Sequence, residues 1–306
     1  MAGGRVSQDR VSRHQIETRD DRVLTFDVTG HPNGSPVFLL HGSPGSRIGP
    51  KPRGSVLYRL GIQLICYDRP GYGGSTPKPK RSVADAAYDI EDIAAALGLD
   101  RFAVVGRSGG GPHALAAAAL LPGKVSRAAV LVGLAPSDAE GLDWLSGMTD
   151  GNVREYETAE NDWPKHVERL RLLADRARRD PEFMVDNLRR QMTAPDRQVV
   201  DDIAIRKLLT ETYVEAFTQG PFGWIDDVAA FRSDWGFQLN DIHGPVLLWH
   251  GADDNFSPVT HARWLAERIP HAEIRVQEST AHFGAVEVLP EVLNWLVAAP
   301  VPAGRH

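Results

Sequence analysis

The chain has 306 residues, enough for one large α/β domain or two small ones, with a sizeable core either way. Apolar residues make up 42% and charged residues 24%, the balance of a water-soluble globular protein. Lys and Arg number 34 against 40 Asp and Glu, a formal charge of −6 with no basic excess to attract nucleic acid. The single cysteine, Cys66, excludes an intrachain disulfide framework and a cysteine zinc site, and suits a buried packing role. Residues 1–10 are polar and lack the apolar core of a secretory signal. The longest strongly apolar run, 114–121, is too short to cross a bilayer. A cytoplasmic protein with neither membrane nor nucleic-acid partner is expected, and a homo-oligomer is compatible with the composition.

Residues 1–13 carry no periodicity and read as a mobile leader. Strand-like runs then fall at 23–28, at 37–40 before His41-Gly42, and at 63–67 before Asp68-Arg69-Pro70-Gly71. Between the last two lie a Gly/Pro/Ser-rich loop, 42–52, and a short helical segment near 56–60. Ala86, Ile90, Ile93 and Leu97 recur at helical spacing and predict an amphipathic helix over 83–97. Residues 102–105 are purely apolar, the mark of a strand buried on both faces. An alanine-rich helix over 108–121, stopped by Pro122, and a strand over 128–132 follow. This alternation with short connections predicts a mostly parallel sheet with helices on both faces.

The rhythm breaks near residue 134. Residues 135–241 read as helical throughout, with stripes such as Leu170, Ala174 and Ala177, or Ile205, Leu209, Thr212 and Tyr213. The alternation resumes with a strand at 245–249, a helix at 261–268, a strand at 272–277 and a last helix at 286–298. The expected fold class is therefore α/β: a core formed by residues 14–134 and 242–306, with 135–241 an inserted α-helical lid over one end of the sheet.

The chemistry centres on Gly106-Arg107-Ser108-Gly109-Gly110, a G-x-S-x-G pattern between a buried strand and a helix. A serine on such a sharp turn needs small residues two before and two after it, and Gly106 and Gly110 meet that need. A hydroxyl nucleophile needs a general base, and the base needs an orienting carboxylate. Of eleven histidines, His282 is the candidate base, because it sits in the loop between the 272–277 strand and the final helix. His41 and His250 precede glycines at strand ends and suit packing or backbone bonding, while His113 is rotated away from the hydroxyl. The carboxylate comes from the turn Gly251-Ala252-Asp253-Asp254-Asn255-Phe256-Ser257-Pro258. Asp254 is preferred on its spacing to Gly251 and Pro258, Asp253 is expected to bond the turn's own backbone, and Asp138 is a distant third. Gly109 N–H and Ser43 N–H are the candidate oxyanion donors; Pro44 has none to offer.

Together with Asp68-Arg69-Pro70-Gly71-Tyr72-Gly73-Gly74-Ser75, these motifs make nearly the whole chain resemble the α/β-hydrolase superfamily, in its serine-nucleophile, lidded branch. The loop His41-Gly42-Ser43-Pro44-Gly45 is similar to the His-Gly-Gly-Pro-Gly loop of prolyl iminopeptidases. Haloalkane dehalogenases and soluble epoxide hydrolases also resemble the chain, but use an aspartate where it has Ser108. The resemblance implies hydrolysis of a small-molecule carboxylic ester, lactone or thioester through an acyl-enzyme, with Ser108, His282 and Asp254 as triad and no metal or organic cofactor. Prolyl-iminopeptidase-like or perhydrolase chemistry is the alternative, and a non-catalytic small-molecule binding protein a further one.

Smaller signals have plainer readings. Arg107 stands where such proteins commonly carry His, Trp or another bulky residue; an ion pair to the lid or a neighbouring helix is expected, with attraction of an anion as the alternative. The basic stretch 169–179 is interleaved with acids and reads as a solvated face. Trp144, Trp163, Trp224 and Trp235 either glue the lid to the core or line a pocket. A peptidase would need acids near its substrate amine, and Glu140, Glu155 and Glu160 are available.

Overall fold

A computed structural model describes residues 11–298. Its strands are β1 (Ser12–Glu17), β2 (Val23–Gly30), β3 (Ser35–Leu40), β4 (Ile62–Tyr67), β5 (Phe102–Arg107), β6 (Val125–Leu131), β7 (Val246–Gly251) and β8 (Ala272–Gln277). They form one sheet in the order β1-β2-β4-β3-β5-β6-β7-β8. The β1–β2 and β2–β4 pairs are antiparallel and all others parallel, as expected from the strand–helix alternation.

The central strands carry apolar side chains on both faces because helices cover both. Val37, Leu39, Val105, Ala129, Leu131 and Leu247 pack on one side against α1 (Gly54–Arg59) and α11 (Gly284–Val297). Their neighbours Phe38, Leu40, Val104, Val130 and Leu248 point to the other side, toward α2 (Asp85–Ala96), α3 (Gly110–Leu120) and α10 (Val259–Ala266). Cys66 is buried in β4, and burial pushes its thiol pKa up.

Two strand starts stand furthest from the sequence reading. β1 begins at Ser12, inside the segment 1–13 expected to be a mobile leader; residues 1–10 lie outside those described. Ser12–Glu17 is a polar edge strand with little apolar alternation to betray it, held by pairing to β2 and by His14 stacked on Phe26. β6 starts at Val125, three residues early, because Ser126 and Arg127 interrupt its apolar run.

Between β6 and β7 lie six helices: α4 (Asp150–Asn161), α5 (Trp163–Arg179), α6 (Phe183–Arg189), α7 (Ala194–Val200), α8 (Ile203–Ala216) and α9 (Phe222–Phe231). Local chemistry fixes their ends. The Thr149, Asp162 and Asp202 side chains cap α4, α5 and α8 by accepting backbone N–H groups, and Arg176, Arg178 and Arg179 complement the α5 dipole at its last turn. Among the described residues no helix is long and apolar enough to cross a membrane.

The β5–α3 junction is tightly packed against backbone. A Cβ on Gly106 would run into the Gly110 carbonyl, and one on Gly110 into the carbonyls of Leu40 and His41. Gly110→Ala should therefore cost about 1–3 kcal/mol in urea unfolding, as overpacking does. Gly123→Ala, where an added Cβ meets nothing within 4 Å, should stay within about 0.5 kcal/mol of the parent.

Candidate active site

Ser108 follows the last residue of β5 and takes φ of 53°, the left-handed region that costs a residue with a Cβ about 1–2 kcal/mol. Backbone bonds hold it there: Ser108 N–H donates to Leu131 O at 2.8 Å, and Gly111 N–H donates to Ser108 O at 2.8 Å. The turn directs Ser108 into a cavity above the carboxyl ends of the strands, at the N-terminus of α3. His282 lines the same cavity from the loop after β8. The two side chains face that space without a hydrogen bond between them, an arrangement that ligand-free sites often tighten only when substrate binds.

Asp254 follows β7, is almost fully buried, and divides two tasks between its oxygens. Oδ2 lies 2.8 Å from His282 Nδ1, while Oδ1 accepts the Phe256 and Ser257 amides at 2.8 and 3.1 Å. The expected division between neighbours is thus corrected: Asp253 is exposed, and Asp254 alone both faces the imidazole and caps the turn. Burial alone would raise the Asp254 carboxyl, but His282 beside it and hydrogen bonds from His250 and His282 hold it below the usual carboxylate range. Asp138 is exposed and borders a separate groove. His250 Nε2 reaches Ser257 O at 2.6 Å, and His41 brackets Gly42 O and the Arg69 amide, so both serve the backbone as expected.

Three contributors were not found from sequence. Ser257 Oγ donates to Val132 O at 2.7 Å and lies 3.3 Å from Asp254 Oδ2, bracing the carboxylate. Asp196, buried on α7, accepts the Phe283 amide at 2.6 Å and so ties the inserted helices to the His282 loop. Burial raises its pKa to about 6. The His282 imidazole, which burial would push down, is held above its usual pKa by Asp254 and, more weakly, Asp196.

The third is Asp227 on α9, with no exposed surface. Oδ2 accepts from Ser43 Oγ, from Arg69 Nη2 at 2.6 Å and from Tyr72 OH at 2.8 Å. Oδ1 accepts from Arg81 Nη2 at 2.5 Å and lies 3.4 Å from His113 Nε2. Arg69 in turn donates to the carbonyls of His41 and Gly42, fixing the loop beside Ser108. Ser43 and Gly109 both line the cavity, and neither amide has a backbone acceptor among the described residues. The two candidate oxyanion donors are thereby brought to one place.

The cavity, about 160 Å3, is walled by the inserted helices through Glu155, Arg169, Leu209, Tyr213 and Trp224. Of the four tryptophans, only Trp224 borders it; Trp144 donates to Ala135 O and packs edge-on to Tyr156. Two charge expectations are corrected. Arg169, counted with a solvated face, turns inward because it shares a face of α5 with buried His166, three residues before it, and adjoins buried Leu170. Arg107 forms no ion pair with the inserted helices, since no carboxylate there comes within reach.

Residues 35–287 match the family model described as alpha/beta hydrolase fold. The chain belongs to that family. A proline iminopeptidase of Neisseria gonorrhoeae is 26% identical over 286 residues, covering 86% of this chain and 88% of the relative. A 2-hydroxymuconate semialdehyde hydrolase of Pseudomonas putida is 26% identical over 259 residues, 83% of each. Among solved structures, an esterase from Rhodococcus sp. ECU1013 superposes with a TM-score of 0.67 at 22% identity, over 94% of this chain and 99% of that one, a likeness of fold.

Two measurements check the roles of the acids in this alpha/beta hydrolase. Asp254→Asn should lower kcat on 4-nitrophenyl butyrate by about 10³–10⁴-fold, the loss expected when an orienting carboxylate goes. Asp253→Asn should lower it less than about threefold, a surface change. The second concerns pH. With His282 as the candidate base, the neutral imidazole is the competent form, so kcat/KM should fall as pH drops through its raised pKa. Asp196→Asn removes a negative charge that raises His282, so the acidic limb of the kcat/KM–pH profile should move to lower pH.

Proposed function

We propose that this protein is a serine hydrolase of small-molecule carboxylic esters, lactones or thioesters. The observation that carries the reading is the Asp254–His282 pair, 2.8 Å apart, opening onto the cavity that Ser108 enters from its left-handed turn. Ser108 Oγ attacks the ester carbonyl while His282 Nε2 takes its proton. The carbonyl oxygen, now negative, is held by the Ser43 and Gly109 amides. Collapse expels the alkoxide, which takes the proton from His282 and leaves as alcohol. Water then repeats the sequence on the acyl-serine, releasing the carboxylic acid and restoring the hydroxyl. Asp254 keeps Nδ1 protonated and stabilises the imidazolium throughout.

The charge pattern favours an ester over an N-terminal amine as the reacting end of the substrate. Of the three acids available to bind an ammonium, Glu155 alone lines the cavity. Burial pushes its carboxyl up to about 7, and Arg169 shares the same space. Glu160 pairs with Arg232 outside. Glu155 nonetheless keeps aminopeptidase chemistry as the second reading, together with the proline iminopeptidase relatives.

The test is intact-mass analysis after fluorophosphonate treatment of the wild type and Ser108→Ala in parallel, followed by turnover of 4-nitrophenyl butyrate and proline 4-nitroanilide. One adduct on the wild type, none on Ser108→Ala, and turnover of the ester over the anilide are expected. An unlabelled, folded wild type overturns the reading. Preference for the anilide replaces it with the second one.

A further inference from the structure

The four buried arginines among the described residues come with counter-ions. Arg47 pairs with Asp27, Asp68 and Glu215, Arg22 with Asp20 and Asp89, and Arg69 and Arg81 share Asp227. Arg107 differs. It closes β5 next to Ser108, and its guanidinium is wedged between the 42–50 loop and α8: a Cβ on Gly49 would sit 3.7 Å from Nη2 and 3.8 Å from Thr212 Cγ2. Nη1 is buried with no hydrogen-bond partner, and among the described residues no carboxylate pairs with the group. Burial lowers its pKa, and Tyr213 is the one neighbour that opposes this. Arg107 is half-buried, and a guanidinium with an enclosed, unused donor is costly in general; such a group persists where something else supplies the charge.

The cavity's other charges do not supply it. Arg169 also lines the wall with an unpartnered Nη1; Glu155 shares that wall and feels its charge, but with its carboxyl pushed up to about 7 it offsets Arg169 only in part. Asp254 is engaged by His282 and by the turn. Positive charge is left over, and beside Ser108 it sits on Arg107, a planar group suited to grip a carboxylate through two parallel N–H donors. Tyr213 borders the same space, and burial pushes its phenol up to about 12, so it stays an O–H donor at neutral pH.

We propose that Arg107, with Tyr213 beside it, is a seat for a substrate carboxylate, so the preferred substrates are half-esters: molecules with one reacting ester and one free carboxylate. This rests on the reading of Ser108 as nucleophile for the reacting end, and goes beyond it in assigning the other end. Seating the anion there orients the ester at Ser108 through a contact made before any bond changes, so its effect belongs chiefly in KM.

The experiment compares 4-nitrophenyl butyrate and valerate with the mono-4-nitrophenyl esters of succinic, glutaric and adipic acids, at low salt. The best half-ester should exceed the matching neutral ester at least tenfold in kcat/KM, chiefly through KM. Arg107→Gln should raise KM for the half-ester at least tenfold more than for the neutral ester, and Arg107→Lys should restore part of the preference. Thermal melting shows whether each variant is folded, and the Lys variant carries the comparison should Gln fail. A wild type that prefers the neutral ester, or an Arg107→Gln that keeps the acid preference, overturns the proposal. A binding arm separates it from the catalytic reading: Ser108→Ala is titrated calorimetrically with monomethyl glutarate and dimethyl glutarate. Selective binding of the half-ester, weakened at least tenfold by adding Arg107→Gln, supports the seat even where the wild type turns over no ester. Equal binding of the two overturns it.

Discussion

One buried carboxylate governs how the loops of the candidate site are held. Asp227 has no contact with solvent, yet five side chains from four separate parts of the chain converge on it. Burial opposes its ionisation, but Arg69 and Arg81 hold its pKa well below the usual carboxylate range. A buried ion in this position is stable only with its partners complete, and losing one partner typically costs about 3–5 kcal/mol. The requirement propagates outward. Arg69 must be where Asp227 needs it, and from there its other donors fix the His41 and Gly42 carbonyls. The loop's next residue, Ser43, then lines the cavity. A helix inserted after the sixth strand thus shapes a loop that follows the third.

The charges around the cavity fall into three groups with separate physical tasks. Asp254, His282 and Asp196 set the protonation of one imidazole: the first two in contact, the third across a backbone amide. Arg69, Arg81 and Asp227 are structural and wholly enclosed. Arg107 belongs to neither set, and its position at the end of a strand makes it rigid where an arginine on a loop would wander. Val132 adds a mechanical element. This β-branched residue at φ 48° is pinned by Trp249 O through its amide and by Ser257 Oγ through its carbonyl. The strain is held by the same serine that braces Asp254.

Much of this was legible in the sequence because it is local. The Gly106-to-Gly110 pattern lies within five residues, and the apolar runs of the central strands announce their own burial. Spacing to Gly251 and Pro258 was enough to choose Asp254 over Asp253, though not to foresee that Asp254 would also cap its turn. What escaped is non-local or polar. The Asp196–Phe283 bond spans 87 positions and the Arg69–Asp227 bond 158, and no pattern of residue types encodes such a meeting. β1 escaped because its order comes from backbone pairing, which any side chain permits. Arg169 escaped because a single inward-turned residue is invisible in a run of alternating charges.

The bond from Asp196 to the Phe283 amide also bears on how such a protein changes over evolutionary time or in a designer's hands. Helices that line a pocket invite replacement as a cassette, leaving the sheet and its chemistry in place. Here two of the cassette's ties reach the candidate site through acids, Asp196 to the Phe283 amide and Asp227 to the Arg69–Arg81 pair. A transplanted segment that fits the pocket but brings no acid to either tie would leave an imidazole loop slack and two cations stranded. Specificity in this scaffold is therefore better altered one wall residue at a time than by wholesale exchange.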